Sequence, residues 1–158
     1  MATDLTPTPI GNDIQVNTTT ANDQLYSSVT ALADGGFVVT WTSLGQDGSG
    51  WGIYGQRYTA AGAASGPEFQ VNTATASDQL YSSVTALADG GFVVTWTSFD
   101  GSGWGIYGQR YTAAGAASGT EFRVNTATAN DQSYSSVTAL ADGGFVVISP
   151  HRVVQLQC

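Results

Sequence analysis

A repeated segment constrains the fold of this chain more than any other feature. The pattern VNT-x-TA-x-DQ-x-YSSVTALADGGFVV occurs three times, beginning at Val16, Val71 and Val124, so the copies are spaced by 55 and then 53 residues. The two-residue difference falls in one loop, LGQDGSGW at 44–51 against FDGSGW at 99–104. A second pattern, GSGWGIYGQRYTAAGAASG-x-EF, occurs twice. Self-similarity at such a period is typical of repeat architectures, in which each unit is one supersecondary structure.

Each unit reads as four short β-strands. In the first copy, alternating SVTAL at 28–32 is followed by an Asp-Gly turn signal and by β-branched and aromatic FVVTWTS at 37–43. A glycine-rich loop leads to GIYGQRYT at 52–59, and EFQVN at 68–72 ends the unit. No segment shows the 3.6-residue apolar period of an amphipathic helix. The pattern therefore predicts an all-β class.

Both faces of these strands carry apolar or aromatic residues, which is typical of sheets covered on each side by neighbours. We predict a β-propeller built from four-stranded antiparallel blades, with about three blades per chain. A β-solenoid is the alternative, although its coils are shorter. The predicted organisation is an N-terminal tail over 1–12 and propeller repeats over 13–158, comprising a closing strand at 13–17, blade 1 at about 26–72, blade 2 at about 81–125 and a partial blade 3 at about 134–158.

The two ends of the chain predict how a ring would close. Residues 13–17 (DIQVN) match the fourth strand of a unit, and 152–157 (RVVQLQ) can substitute for a third strand in the last unit. The N-terminal strand would complete the last blade, a strand exchange that leaves no free edge. Because three blades are too few for a ring, we expect a homodimer giving six blades, or a trimer giving nine. The alternative is a fragment of a longer repeat array.

Charge and hydropathy exclude several classes of partner. The chain carries 12 acidic residues against 4 basic ones, a formal net charge of -8, so no nucleic-acid partner is expected. Nothing approaches the roughly 18 consecutive apolar residues of a membrane helix, so no membrane partner is expected. The N-terminus also lacks the basic and apolar regions of a signal peptide.

Three phrases resemble a known kind of repeat. ADGGFVVTWTS, DGSGWGIYGQRY and EFQVNT are similar to tandem propeller-type repeats of large bacterial secreted proteins of the adhesin-like or RTX type, over residues 14–147. The resemblance implies an extracellular or cell-surface origin. The glycine-rich calcium nonapeptide of RTX proteins is absent, so calcium-roll binding is not implied.

One end of each predicted blade is the better candidate for a ligand face. Loops alternate between the ends of a meander, so the DGSGW loops and the NTTTANDQLY-type connections share one end, which is rich in Asp, Asn, Gln, Thr and Trp. The Trp side chains can stack on a sugar ring while neighbouring carboxylates and amides bind its hydroxyls. The candidate ligand-binding residues are Asp47, Trp51, Tyr54, Gln56, Asp100, Trp104, Tyr107 and Gln109. The alternative is that each Trp fills the gap between adjacent blades.

Catalysis, metals and cofactors are not expected from these residues. The lone His151 and the lone Cys158 fall outside the repeat, which leaves no base for a serine hydrolase and no Cys-based zinc site. Near-identical repeats do not readily build an asymmetric site, so we expect no enzyme. No cofactor is expected, with calcium at the two DGSG loops as an alternative to a simple Asp-capped turn.

These observations predict a non-enzymatic, lectin-like binding module. Weak carbohydrate sites repeated on the DGSGW face would gain avidity from their number, and glycans would be the partners. The alternative is a purely structural repeat that assembles into an oligomeric propeller without a dedicated ligand.

Overall fold

The computed structural model describes residues 6–9, 11–127, 130–150 and 152–157, which form three antiparallel sheets. Sheet 1 has the order β1-β2-β3-β4, sheet 2 the order β5-β6-β7-β8, and sheet 3 the order β9-β10-β11. The strands are β1 Gln24–Ala31, β2 Phe37–Leu44, β3 Trp51–Tyr58, β4 Phe69–Gln70, β5 Gln79–Ala86, β6 Phe92–Phe99, β7 Trp104–Tyr111, β8 Ala117–Arg123, β9 Ser136–Ala139, β10 Phe145–Ser149 and β11 Arg152–Leu156.

The predicted all-β class with antiparallel sheets is confirmed. The described residues contain no helix, and hence none that could cross a membrane. The three sheets do not close on one another. Part of the predicted tail (1–5 and 10), together with His151 and Cys158, lies outside the described residues.

A tight turn joins the first two strands of every sheet. In sheet 1, the Asp34 carboxylate accepts a hydrogen bond of 2.9 Å from the Gly36 N–H, and the Leu32 N–H donates to the Gly36 carbonyl at 2.8 Å. The same Asp-to-Gly bond recurs at 2.9 Å in sheet 2 and 3.0 Å in sheet 3. The short aspartate side chain accepts a backbone hydrogen bond within its own turn, which explains why ADGG predicts a hairpin in all three copies.

Apolar side chains fill the two seams between neighbouring sheets. One cluster joins residues of sheets 1 and 2, among them Val38, Ile53, Phe92 and Trp96. A second cluster joins sheets 2 and 3 through Val93, Ile106, Val137, Phe145 and Val147. Strand β1 also contacts β5, and β5 contacts β9, so the first strands of the three sheets lie side by side. Each seam therefore buries the face of one sheet against the opposite face of the next.

The N-terminal segment packs on the outer face of sheet 1. Val16 joins a third cluster with Trp41 and Tyr58, and the Tyr58 hydroxyl donates to the Val16 carbonyl at 3.0 Å. The repeat-equivalent bond joins the Tyr111 hydroxyl to the Val71 carbonyl at 3.5 Å. Residues 13–17 form no strand, so the predicted completion of sheet 3 is not made within this chain.

Candidate functional site

A one-residue bulge interrupts the first strand of sheets 1 and 2. Leu25 lies opposite Thr42 but Ser28 lies opposite Thr40, so three steps on β1 match two on β2. Strand β5 has the same irregularity between Leu80 and Ser83. Bulges of this kind redirect a side chain relative to the regular strand.

A tyrosine occupies the bulge in a backbone conformation that tyrosine rarely adopts. The φ angles are 55° for Tyr26, 60° for Tyr81 and 54° for Tyr134, the equivalent position of the third copy. Left-handed backbone at a bulky residue costs on the order of 1–3 kcal/mol and persists where the surrounding structure enforces it, often at functional sites. Three copies of the same strained tyrosine therefore mark this edge of the molecule as a candidate site.

The three tyrosines form a continuous row across the sheets. The ring centroids of Tyr26 and Tyr81 are 4.6 Å apart, and those of Tyr81 and Tyr134 are 4.3 Å apart. The Tyr134 hydroxyl also donates to the Tyr81 hydroxyl at 3.4 Å. That hydrogen bond and burial raise the pKa of Tyr81. Tyr26 remains 50% exposed and Tyr134 62% exposed, which leaves aromatic surface open to a ligand.

The row borders a cavity of about 220 Å³ at the seam between sheets 2 and 3. Its lining is Leu80, Tyr81, Trp104, Asp131, Ser133 and Tyr134. The backbone N–H of Trp104 donates to Asp131 Oδ1 at 3.1 Å, which fixes the carboxylate beside the start of β7. Ser133 stands at the repeat position that Leu25 and Leu80 occupy in the other copies. This seam thus gains a hydroxyl and loses the volume of a leucine side chain.

Three predicted residues of sheet 1 lie at or just after the DGSGW loop: Asp47 and Trp51 are its first and last residues, and Tyr54 follows within β3. Asp47 caps the loop by accepting from Ser49 N at 3.0 Å and from Ser49 Oγ at 3.1 Å. Trp51 is half-buried, and its backbone N–H donates to Asp78 Oδ1 at 3.1 Å. Tyr54 is buried, at 5% exposure. Asp47 therefore acts as a turn cap, and Trp51 borders the connection between sheets 1 and 2.

Burial raises the pKa of Tyr54 to about 12, with the charges of Asp47 and Glu68 adding to the effect. Burial likewise raises the pKa of Tyr58 and of Tyr111. Because the pKa of Tyr54 in the folded protein lies above the ordinary tyrosine value of 10.0, the neutral form is favoured in the native state. This contribution to stability is complete below pH 10.0 and is lost as the pH rises towards about 12.

We therefore expect the free energy of unfolding to fall steeply above pH 10.0, the unperturbed pKa. Urea unfolding at a series of alkaline pH values, followed by circular dichroism, measures this loss. Tyr54→Phe removes one ionisable hydroxyl. The fraction of its neutral-pH free energy of unfolding that remains at high pH should therefore be larger than the same fraction for the parent. An equal fractional loss in both proteins would contradict the role of Tyr54.

The predicted residues of sheet 2 divide between two cavities. Trp104 lines the cavity at the tyrosine row, whereas Asp100 and Tyr107 line a second cavity of about 420 Å³, together with Phe99 and Glu121. Asp100 accepts from Ser102 Oγ at 2.7 Å and Ser102 N at 2.9 Å, which lowers its pKa, and it pairs with Arg123.

The carboxylates of the second cavity are already engaged. Glu121 accepts from the Thr73 backbone N–H at 2.7 Å and from its hydroxyl at 2.9 Å. The guanidinium of Arg123 both pairs with Asp100 and lies 5.9 Å from the centre of the Tyr107 ring. The Arg123 contacts lie within sheet 2, and the Glu121 bonds hold the connection between sheets 1 and 2. The tyrosine-row cavity is therefore the stronger candidate for binding.

The two predicted glutamines lie away from both cavities. Gln56 and Gln109 are each 2% exposed. The Gln56 amide donates to the carbonyls of Arg57 and Gly66 at 2.9 and 3.0 Å, and Gln109 makes the equivalent bonds to Arg110 and Gly119. The Gln56 amide therefore secures the loop before β4, and the Gln109 amide holds Gly119 within β8. The structure does not bring either amide to the DGSGW loops.

The tyrosine row is the element that sequence reasoning missed. The signal was the Tyr of the DQ-x-Y step, which recurs at 26, 81 and 134. Nothing local distinguishes it from a core residue, because its exposure depends on the neighbouring sheets: Tyr26 and Tyr134, at the two outer sheets, are 50% and 62% exposed, whereas Tyr81 in the middle sheet is half-buried. By contrast, the predicted ligand end is the end that carries the row, since the DQ-x-Y step belongs to the connections that face the DGSGW loops.

In fold, the chain is similar to the crystal structure of an endo-arabinase from Bacteroides thetaiotaomicron, with a TM-score of 0.57. The two chains are 15% identical, and the match covers 96% of this chain and 61% of the endo-arabinase. The likeness at this identity concerns the fold alone. No family model matches the chain, and no curated protein matches its sequence.

The expectation that the chain is no enzyme is contradicted by this match, because the matched protein is an enzyme. The absence of Lys and the single His do not by themselves exclude catalysis. Carboxylates alone supply general acid, general base and nucleophile in glycoside hydrolysis, and this chain has 12 of them even though it lacks Lys. Repetition of the sequence also does not make the cavities equivalent, as Ser133 shows.

Proposed function

We propose that the chain is a propeller-type module that binds carbohydrate at the cavity between sheets 2 and 3. The observation that carries the proposal is the row of three strained tyrosines, held at the same repeat position with two rings at least half exposed. Strain repeated at a surface of open aromatic rings is hard to explain by packing alone. The side-by-side first strands of the three sheets support their assignment as blades.

The cavity has the chemistry that a sugar ring requires. Exposed aromatic faces stack on the apolar C–H face of a sugar, and Tyr134 and Trp104 present such surface at the cavity wall. Asp131 and Ser133 supply an acceptor and a hydroxyl for the ring hydroxyls. The volume of about 220 Å³ is below the roughly 300–1,000 Å³ of pockets for drug-sized ligands. We therefore propose that the cavity holds one sugar residue of a longer chain.

The chain itself offers a matched variant for the test. Ser133→Leu installs the residue found at Leu25 and Leu80, so the fold should tolerate it while the cavity fills. We expect glycan affinity, measured by calorimetry on hits from an array that includes arabinose oligosaccharides, to fall at least tenfold, as about 1.4 kcal/mol of lost contact would give. Tyr134→Ala should have a similar effect, and Tyr26→Ala, at the same repeat position away from the cavity, should have less.

Two results would count against this proposal. One is a folded parent protein that binds no glycan on the array, and the other is a Ser133→Leu protein that binds as tightly as the parent. Release of reducing ends should be measured on the same oligosaccharides, since the fold also occurs in an endo-arabinase. If the parent releases reducing ends and Ser133→Leu does not, the hydrolysis takes place at this same cavity.

A further inference from the structure

The two ends of the three-sheet array carry complementary, uncovered faces. At the internal seams, Val84 of β5 is 6% exposed and Val137 of β9 is 7% exposed. Val29 holds the same repeat position in β1, yet it is 63% exposed because neither of the other two described sheets covers this face. At the other end, Ile148 of β10 is 47% exposed and Val153 of β11 is 72% exposed. We infer that a second copy of this chain covers these faces head to tail, its sheet 1 packing on sheet 3.

An edge strand is missing at one end and spare at the other. Sheets 1 and 2 each have four strands, whereas sheet 3 has three, with β11 at its edge. The N-terminal segment has the sequence of a fourth strand: Ile14 and Gln15 align with Phe69 and Gln70 of β4. Unpaired edges are ready templates for another chain's strand. The segment of one copy therefore fits beside β11 of the next copy.

The register of the internal sheets shows which residues would meet. Gly55 lies opposite Phe69 in sheet 1, and Gly108 lies opposite Phe122 in sheet 2. Strand β11 aligns with β7 through β10, because Ile148 lies opposite Val153 as Thr95 lies opposite Gly108. Transferred to the join between copies, this register places Ile14 of one copy opposite Val153 of the other.

The side-chain volumes at this pair are exchanged in a compensating way. A Cβ atom on Gly108 would lie 2.8 Å from the Phe122 ring, and one on Gly55 would lie 2.8 Å from the Phe69 ring, so the phenylalanine requires a glycine opposite it. In the proposed pair both residues differ: Ile14 replaces the larger Phe, and Val153 replaces the smaller Gly. A paired change of this sense at two distant exposed positions is the expectation for residues that pack together.

A polar contact repeats at the same join. The backbone N–H and the hydroxyl of Thr18 donate to Glu68 at 2.7 and 2.9 Å, and Thr73 makes the same bonds to Glu121. The next threonine in this series is Thr126. The acidic residue that precedes the spare strand is Asp13. The join therefore offers Thr126 of one copy a carboxylate from the other.

Within one chain, the N-terminal segment does not reach the edge of sheet 3, so we assign the strand beside β11 to a second copy. Within one chain, Val16 and Thr18 are bound to Tyr58 and Glu68 of sheet 1, and sheet 2 lies between sheets 1 and 3. Two copies joined at both ends give a closed ring of six sheets without a free edge. This inference rests on the seams between sheets and does not depend on glycan binding.

Cysteine cross-linking tests the proposed register directly. Residues opposite each other on antiparallel strands have Cα atoms about 4.5–5.5 Å apart, within reach of a disulfide. In a Cys158→Ser background, we would refold Ile14→Cys chains together with Val153→Cys chains and oxidise them with oxidised glutathione. The expected product is a disulfide-linked dimer on a non-reducing gel. Ile14→Cys mixed with Thr120→Cys, on the outer strand of sheet 2, should give none.

A swap of the two side chains provides a second, independent readout. Ile14→Phe alone should overpack against Val153 and raise the dissociation constant at least tenfold, as overpacking of this kind commonly costs. Ile14→Phe with Val153→Gly restores the internal Phe–Gly pair and should return affinity towards the parent value. Sedimentation equilibrium measures both. A parent protein that is a folded monomer at micromolar concentration, or the absence of a cross-link between the Ile14→Cys and Val153→Cys chains, would overturn the inference.

Discussion

Replacing Trp96 by alanine is expected to lower the free energy of unfolding by about 4 kcal/mol, the scale found for large buried aromatic side chains. Trp96 is 0% exposed and packs in the cluster that joins sheets 1 and 2. Removal of the indole leaves a cavity at the seam that rigid sheets cannot collapse to fill. Urea unfolding monitored by circular dichroism gives the free energy.

Trp96→Phe is the matched control for this experiment. Within the described residues, the buried indole N–H of Trp96 has no hydrogen-bond partner. Trp96→Phe therefore reduces the buried volume without removing a hydrogen bond. The free energy of unfolding should fall by about 1–2 kcal/mol, as for other modest reductions of core volume. Equal losses for the two variants would show that the seam does not depend on the volume of this side chain.

Replacing Gly91 by alanine is expected to cost about 3 kcal/mol or more, because overpacking against a rigid backbone is among the costliest core changes. A Cβ atom on Gly91 would lie 2.2 Å from the carbonyl oxygen of Tyr111 in the next strand. The strands would have to separate, which would break the β6–β7 pairing at its end. The melting temperature and the urea midpoint should both fall.

Gly101→Ala separates this clash from the effect of backbone conformation. Gly101 has a φ of +90°, but nothing lies within 4 Å of the Cβ position. Alanine there should cost only about 1 kcal/mol, from the unfavourable φ alone. If Gly101→Ala proved as damaging as Gly91→Ala, the close approach of the Tyr111 carbonyl would not be the cause.

The strands themselves were largely predictable. The expected second strand at 37–43 is β2, Phe37–Leu44, and the expected third strand at 52–59 is β3, Trp51–Tyr58. The first strand was expected from 28 but begins at Gln24, because the bulge at Tyr26 lets pairing continue past an interruption. Alternation and turn residues act locally, so they reveal strands but not an extra residue within a pair.

The candidate site was less predictable than the strands. Trp104, predicted to lie on the ligand face, lines a cavity in the structure. Gln56 was grouped with the DGSGW loops by its position in the chain, but its amide is buried and bonds to Gly66, in the loop before β4. The prediction of no enzyme was wrong for a related reason: residue counts describe chemistry that is missing, whereas a site depends on which side chains the fold gathers.

The sequence by itself determined the all-β class, the turns and the order of strands, because these depend on contacts between near neighbours in the chain. Only the tertiary structure decided what each strand does. Strands β1 and β5 share the sequence QLYSSVTA. Yet Val29 is 63% exposed and Val84 is 6% exposed, since among the described sheets only Val84 has a neighbouring sheet packed on it. Whether a strand is buried depends on the sheet packed against it and not on its own residues. Identical segments therefore form a core strand in one place and an exposed surface in another.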